Sequence, residues 1–435
     1  MQEHHNFSLF LRLLYRFLRS LVLLSMRVFY KKTVLLNRKN TNPTGPCVFV
    51  SNHPSTLLDP FNAVLYLESE VFFLANAGLF KHPFVDWLLR KLYCIPVRRK
   101  KDNNPNVVNE KAFDHCEDFL IKGGFLYVAI EGSSYMERHL RELKTGTARI
   151  VFGAEAKNNF ELGINIVPIG LTYDNVAAFR GNIVIDFGKP IYIKDFQADY
   201  QQNEEDAVDK LTDAIRVALL PLMVHTNDNK EERLLEKIET LQQSEQPISV
   251  EAAYYRTKET LLPTLRSLSN TQSETLTQHA NNYWKQLEKH HILDKNVWNY
   301  AQKQENRFLF LAKGVFFILG FPLFLWGYLN NVLTALTAKW FITKFDGYDP
   351  TVRYLCGFFL TPLFYWGLSN VWNCWIDFLY FKLFFWISAA LCGVFAWDYR
   401  KIYQQWCSEL RFWRLEESVK KELVEGRKGV VYFQK

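Results

Sequence analysis

Paired cysteines are missing from this chain. Its seven cysteines, Cys47, Cys94, Cys116, Cys356, Cys374, Cys392 and Cys407, are odd in number, and no two stand in a Cys-x-x-Cys spacing. That pattern argues against a disulfide framework and a thiolate zinc site, and leaves reduced thiols facing the cytosol as the simple account. A cleavable secretory leader is also not expected. Charges run through the first apolar stretch, and no small-residue cleavage site closes it. Nor is there a strong imbalance of charge. The formal net charge is +7 over 435 residues. A basic excess can serve anionic lipid, nucleic acid or phosphorylated substrates, and simple solubility accounts for one this small. The long polar region from about 195 to 307 carries no chemical motif.

What the chain does have is aromatic side chains: 16% of residues, with 36 Phe and 12 Trp. That favours a large core or a membrane interface. The mean hydropathy of −0.13 averages a mixed first three-quarters with a very apolar stretch near the C-terminus. Residues 1–32 read as an amphipathic helix. Arg12, Arg16, Arg19 and Arg27 fall within about 80° of one another at 100° per residue. A spanning helix would not carry four charges on one face. A helix lying in the membrane interface would, with its arginines at anionic head groups, and such an anchor is expected to be removable without unfolding the domain after it.

From about 40 to 200, short apolar runs alternate with helix-like stretches. The runs are 47–51, 71–74, 94–97, 125–130, 164–169 and 183–187. Between them lie 61–67, 84–92, 107–121 and 145–156. The alternation predicts an α/β domain whose mostly parallel sheet is flanked by helices. A helical accessory region comes next at 201–307, then membrane-embedded helices at 308–398 and a basic tail at 399–435. Between Lys313 and Lys339 there are 25 residues without charge, and between Arg353 and Asp377 another 23. Each is long enough to cross a hydrocarbon core of about 30 Å. A third run of 15 between Lys382 and Asp398 is short, and reads as re-entrant or interfacial. By the positive-inside rule the tail is cytosolic. The α/β domain is expected on the cytosolic side as well.

The chemistry sits at strand ends. Val50-Ser51-Asn52-His53-Pro54-Ser55-Thr56-Leu57-Leu58-Asp59 follows the first of these strands, where open α/β sheets place their sites. Imidazole takes a proton from a hydroxyl near neutral pH, and a carboxylate on its other nitrogen fixes the tautomer. A lone His–Asp pair is most often structural. Here three further blocks accompany it. Ile95-Pro96-Val97-Arg98-Arg99-Lys100-Lys101 ends a strand in four cations suited to phosphate. Ile130-Glu131-Gly132-Ser133-Ser134 ends another, with Lys144-Thr145-Gly146 downstream. Val167-Pro168 places a proline inside a strand, which hints at the edge of a site or a bulge.

These four blocks, in this order, resemble the glycerolipid acyltransferase family that includes bacterial lysophosphatidate acyltransferases. The family's Asn-His-x-x-x-x-Asp is matched by Asn52, His53 and Asp59. Its Ile-Pro-x-x-Arg is matched by Ile95, Pro96 and Arg98 or Arg99. Its Pro-Glu-Gly-Thr-Arg-Ser is matched by Glu131 and Gly132, and its Val-Pro-Val-like strand by Val167 and Pro168. Five residues, not four, separate His53 from Asp59, which on an ideal helix turns the carboxylate about 100° away. A distorted turn must bring it back. Ile130 replaces the motif proline and Ser134 the motif arginine. The spacing and the Glu-Gly-x-Ser pattern look more like a branch related to fungal glycerol-3-phosphate acyltransferases.

The resemblance implies an O-acyltransferase with His53 and Asp59 as the catalytic pair. His53 is the general base. Asn52, Arg98, Arg99, Glu131, Gly132, Ser133, Ser134 and Lys144 would bind substrate, with backbone N–H groups near Gly132 meeting the oxyanion. The partners implied are a phospholipid membrane, an acyl-CoA or acyl carrier protein donor, and a glycerol 3-phosphate or 1-acyl-glycerol-3-phosphate acceptor. No metal, cofactor or nucleic acid is implied. Two other readings stay open: a catalytically silent membrane-anchored scaffold, and a thioester hydrolase using the same base on water.

Overall fold

The computed structural model describes residues 9–68, 70–91, 94–97, 110–345, 347–373 and 380–431. The chain divides into two compact units, Met1–Thr226 with Gly347–Thr351, and Asn227–Asp346 with Val352–Lys435.

The first unit is built on eight strands: β1 (Lys32–Leu36), β2 (Cys47–Ser51), β3 (Val71–Asn76), β4 (Cys94–Val97), β5 (Phe125–Ala129), β6 (Asn165–Tyr173), β7 (Asn182–Phe187) and β8 (Ile191–Tyr192). They run in the order β1-β7-β6-β2-β5-β3-β4, with β8 added on β6. Pairing is parallel except where β6 meets β7 and β8. The sheet is thus mostly parallel, as its apolar runs imply. β2 is buried along its whole length, so a strand with no polar face suits it. β1 falls between the expected anchor and the expected domain start, and was not anticipated.

Seven helices belong to this unit: α1 (Leu9–Phe29), α2 (Leu58–Val64), α3 (Pro83–Lys91), α4 (Glu110–Ile121), α5 (Gly146–Ala156), α6 (Gln197–Gln202) and α7 (Glu204–Leu219). The core joins Val48, Val50, Leu126, Ile150, Ile166 and Val151. Ala207, Val208, Leu211, Ile215 and Leu219 of α7 lie in the same cluster. Their i, i+4, i+8 spacing gives α7 one apolar stripe, so the unit runs to Thr226 and not only to 200.

Pro168 sits mid-strand in β6, opposite Val50 of β2, with no bulge. On the other side of β6, β8 pairs at 165–166 and β7 pairs from 169 to 173. The residues between meet a change of neighbour, so a missing N–H costs no ladder bond there. The Pro168 carbonyl accepts from Gly188 N at 2.8 Å. The proline therefore marks a switch of partner strand in the sheet interior, and the bulge alternative is not seen.

In α1, Met26 and Phe29 are buried, as is Tyr30 just beyond it. Leu13, Phe17, Leu21, Leu24 and Val28 are exposed. At 100° per residue these five cover a single arc of about 80°, with Arg16 and Arg27 beside one edge of it. Arg19 points elsewhere: its guanidinium donates to the carbonyls of Leu65, at 3.0 Å, and Leu67, at the C-terminal end of α2. Arg19, one of the four arginines, is therefore engaged with the chain itself.

The second unit is helical: α8 (Asn229–Glu245), α9 (Val250–Arg256), α10 (Leu262–Ser267), α11 (Asn270–His290), α12 (Asp294–Ala301), α13 (Arg307–Ile342), α14 (Asp349–Leu355, which begins just before the division), α15 (Thr361–Asn373), α16 (Phe381–Trp413) and α17 (Glu417–Val431). Arg427 of α17 is buried and donates from Nε to Asp294 Oδ1 and from Nη1 to Glu245 Oε1, both at 2.9 Å. Tyr283 adds its hydroxyl to Asp294 Oδ1 at 2.7 Å. One guanidinium thus ties α17 to α8 and α12.

Among the described residues, two helices here are long and apolar enough to cross a membrane, α13 with 36 residues and α16 with 33. At 1.5 Å per residue both exceed the hydrocarbon thickness of about 30 Å. They approach closely at Gly327, where a Cβ would lie 2.0 Å from the Cys392 carbonyl oxygen. The expectation for the short third run is corrected: it continues through Asp398 as one helix to Trp413. The second run is instead interrupted by a π-helical turn at Cys356–Leu360, between α14 and α15.

Candidate active site

The C-terminal end of β2 delivers Ser51, Asn52 and His53 to the edge of the sheet. The chain then turns through 54–57 and enters α2, whose first turn carries Asp59. His53 Nδ1 lies 2.9 Å from Asp59 Oδ2. Asp59 is fully buried, while the His53 side chain keeps 15% of its surface exposed. A carboxylate can only accept, so Nδ1 carries the proton and Nε2 presents its lone pair. Ser55 N also donates to Asp59 Oδ2, at 2.6 Å. Tyr173, at the end of β6, donates its hydroxyl to Oδ1 at 2.6 Å. Burial, reinforced by the Asp59 charge, holds the Tyr173 phenol well above its ordinary range, which keeps it a donor.

The inserted residue is absorbed at Thr56, whose φ is 51°. A β-branched residue in the left-handed region costs about 1–3 kcal/mol and persists only where its surroundings impose it. Here they do. Thr56 N and Thr56 Oγ1 both donate to Ser134 Oγ, at 3.0 and 3.1 Å. Leu58 N then closes onto the Ser55 carbonyl at 3.1 Å and α2 begins.

Several residues expected at the substrate are committed to the chain itself. Asn52 is buried, with Nδ2 on the Leu171 carbonyl at 2.9 Å and Oδ1 accepting Leu171 N at 2.8 Å. It staples β2 to β6. Glu131 accepts His53 N on Oε1 at 2.8 Å and Arg141 N on Oε2 at 3.0 Å. Burial raises its carboxyl above the usual range, against the two N–H bonds that lower it. Its role in the structure is to set the backbone of His53. Gly132 has a φ of 70°, which glycine takes without strain, and its N–H goes to the Ala129 carbonyl at 3.1 Å. That N–H is therefore engaged and not free for an oxyanion.

The loop after β5 returns beside the site. Tyr135 N reaches the His53 carbonyl at 3.3 Å, and Lys144 N reaches the Ile130 carbonyl at 3.0 Å. The Lys144 side chain is 62% exposed, 3.5 Å from Glu142, and Ser133 is half-buried. Arg141 pairs with Glu137 at 2.5 Å and lies over the Tyr135 ring. Arg98 and Arg99 lie outside the described residues.

Tyr173, Thr56 and Ser134 as a turn anchor were not found by sequence reasoning. For Tyr173 a signal existed: the apolar run at 164–169 continues as Gly170-Leu171-Thr172-Tyr173, so the strand could have been carried to its end.

Comparison with known proteins agrees with this constellation. The acyltransferase family model matches residues 33–172. Glycerol-3-phosphate O-acyltransferase 1 of Saccharomyces cerevisiae is 32% identical over 124 residues, 28% of this chain and 16% of the yeast protein. The chloroplastic 1-acyl-sn-glycerol-3-phosphate acyltransferase of Brassica napus is 25% identical over 177 residues, 39% of this chain and 47% of its own. The chain thus spans less than half the length of these curated relatives. The solved 1-acyl-sn-glycerophosphate acyltransferase PlsC of Thermotoga maritima is 16% identical, with a TM-score of 0.35 over 48% of this chain and 80% of that one. The segment that matches the acyltransferase family model, 33–172, lies within the α/β unit and contains His53, Asp59 and the motifs gathered around them.

Proposed function

We propose that this protein transfers a fatty acyl group from a thioester donor, acyl-CoA or acyl carrier protein, to a hydroxyl of glycerol 3-phosphate or its 1-acyl derivative. The observation that carries the reading is the 2.9 Å contact of His53 Nδ1 with the buried Asp59 carboxylate. It turns Nε2 of a partly exposed imidazole into a base. Nε2 takes the proton of the acceptor hydroxyl as its oxygen bonds to the thioester carbonyl carbon. The tetrahedral oxyanion collapses, the C–S bond breaks, and the thiolate leaves with the proton held by His53. Asp59 stabilises the imidazolium between these steps.

Acceptor phosphate is assigned to Arg98 or Arg99 and to the exposed Lys144, since cations hold phosphate through charge-assisted bonds. Ser133 is assigned to the substrate as a hydroxyl donor. A bilayer surface is the working environment, because the donor chain and the product both partition into lipid. The exposed apolar arc of α1 supports that contact, as do the two apolar helices of the second unit. The α/β unit is proposed to face the cytosol.

The test is purified protein in detergent micelles with labelled acyl donor and a panel of glycerol 3-phosphate, lysophosphatidate and other lysolipids. Label should enter one of the two glycerol-phosphate acceptors, and not with His53→Ala. Thioester loss independent of acceptor would mark a hydrolase, and no turnover at all a silent scaffold.

A further inference from the structure

The five residues between His53 and Asp59 pose a geometric problem that α2 alone does not solve. The chain solves it at one residue, Thr56, by placing it in the left-handed region. Nothing in the local sequence asks for this: the turn has no glycine or asparagine, the residues that take a positive φ most readily. The stabilisation comes from 78 residues away, where a single oxygen, Ser134 Oγ, accepts both the Thr56 N–H and the Thr56 hydroxyl. The same turn presents Ser55 N to Asp59 Oδ2. Its conformation therefore decides where the carboxylate stands relative to His53.

We propose that Ser134 is a positioning residue for the acyl-transfer dyad: its hydroxyl holds Thr56 in the left-handed turn that absorbs the inserted residue and returns Asp59 to His53. The extra residue and the serine at 134 are then one linked feature. Arginine, the residue of the resembled motif at this position, offers only donors and cannot accept the Thr56 N–H. This inference rests on the acyl-transfer reading above, and assigns Ser134 to the turn and not to substrate phosphate.

The experiment uses the full-length chain in detergent. Ser134→Ala should lower kcat about tenfold or more, with KM for donor and acceptor within about twofold, because a displaced base is lost in the transition state and not in substrate binding. Ser134→Thr, which keeps the hydroxyl, should restore most of the rate. Thr56→Gly should fall less than Thr56→Val, since glycine takes the turn freely and valine resists it. That pair decides the matter should Ser134→Ala fail to fold. A second readout does not need turnover: the proton between His53 Nδ1 and Asp59 should give a downfield NMR resonance in the wild type. It should be retained in Ser134→Thr and lost or shifted in Ser134→Ala. Wild-type kcat and an unmoved resonance in Ser134→Ala would overturn the proposal. So would equal damage from Ala and Thr, or a KM effect confined to the acceptor, which returns Ser134 to the phosphate. If the wild type moves no acyl group, the functional reading falls while the resonance still decides the positioning role.

Discussion

Tyr173 and Asp59 come from opposite sides of the site, one closing β6 and the other opening α2, and meet at 2.6 Å with the phenol as donor. Asn62 Nδ2 in turn donates to the Tyr173 oxygen at 3.1 Å and to the Tyr30 oxygen at 3.3 Å. The carboxylate that orients His53 is thus held by a buried polar chain reaching back to the residue after α1. Replacing Tyr173 with Phe removes one donor from a buried carboxylate. We expect a loss of about 1–3 kcal/mol in stability, and a fall in kcat with KM little changed. Chemical denaturation and steady-state kinetics on the same preparation check both.

His53→Ala should lower acyl transfer by at least about 10²–10⁴-fold while leaving the fold intact. Asp59→Asn should also be severe, because an amide stabilises neither the tautomer nor the imidazolium. On the proposed mechanism the two act as one unit, so the double variant should be little worse than the worse single one. Full additivity of the two losses would disprove the coupling.

Glu131 gives a pH signature. Burial raises its carboxyl in the folded chain, so the fold binds that proton more tightly than the unfolded chain does. The resulting stability is present below the unfolded carboxyl value and is lost as pH rises through the raised one. Glu131→Gln has no such proton. The melting temperature of wild type minus that of Glu131→Gln should therefore shrink as pH rises across this interval. The same variant should lower kcat by disturbing the His53 backbone, with acceptor KM nearly unchanged.

The arc on α1 predicts a substrate-dependent defect. Phe17→Ser with Leu24→Ser should reduce turnover of an acceptor embedded in vesicles. Turnover of a short-chain acceptor free in water should stay close to wild type. Equal rates on vesicles for the variant and the wild type would separate α1 from the bilayer.

In the second unit, Arg427→Ala strips a buried Asp294 of its counter-charge. Breaking such a pair from one side costs about 3–5 kcal/mol. The helical unit should melt earlier, with the α/β unit less affected, as hydrogen exchange resolved by peptide would report.

The strands were legible because each is a continuous apolar run bounded by polar turns, and the His–Asp block because it stands at the end of one. β1 was not, since only Val34-Leu35-Leu36 of its five residues are apolar, a run too short to stand out. The partners of Asn52 and Glu131 were hidden for another reason. Both bond to backbone N–H or C=O groups, which every residue possesses, so no side-chain pattern announces them. Thr56 was foreseeable only as a need for distortion; which residue would bear it depended on a hydroxyl 78 positions away. The third apolar run was misjudged by counting to the first charge, when the helix carries Asp398 and Arg400 and continues.

Arg19 grips the Leu65 and Leu67 carbonyls just beyond α2 while the first turn of α2 carries Asp59, and Met26, Phe29 and Tyr30 are buried. The opening segment is therefore not a detachable anchor. Trimming it to make a more tractable protein would uncap the short helix that bears Asp59 and take Tyr30 from Asn62, so an inactive truncation would say nothing about membranes. Point changes on the outer arc are the sound way to vary this segment, and a purification tag belongs at the other end of the chain.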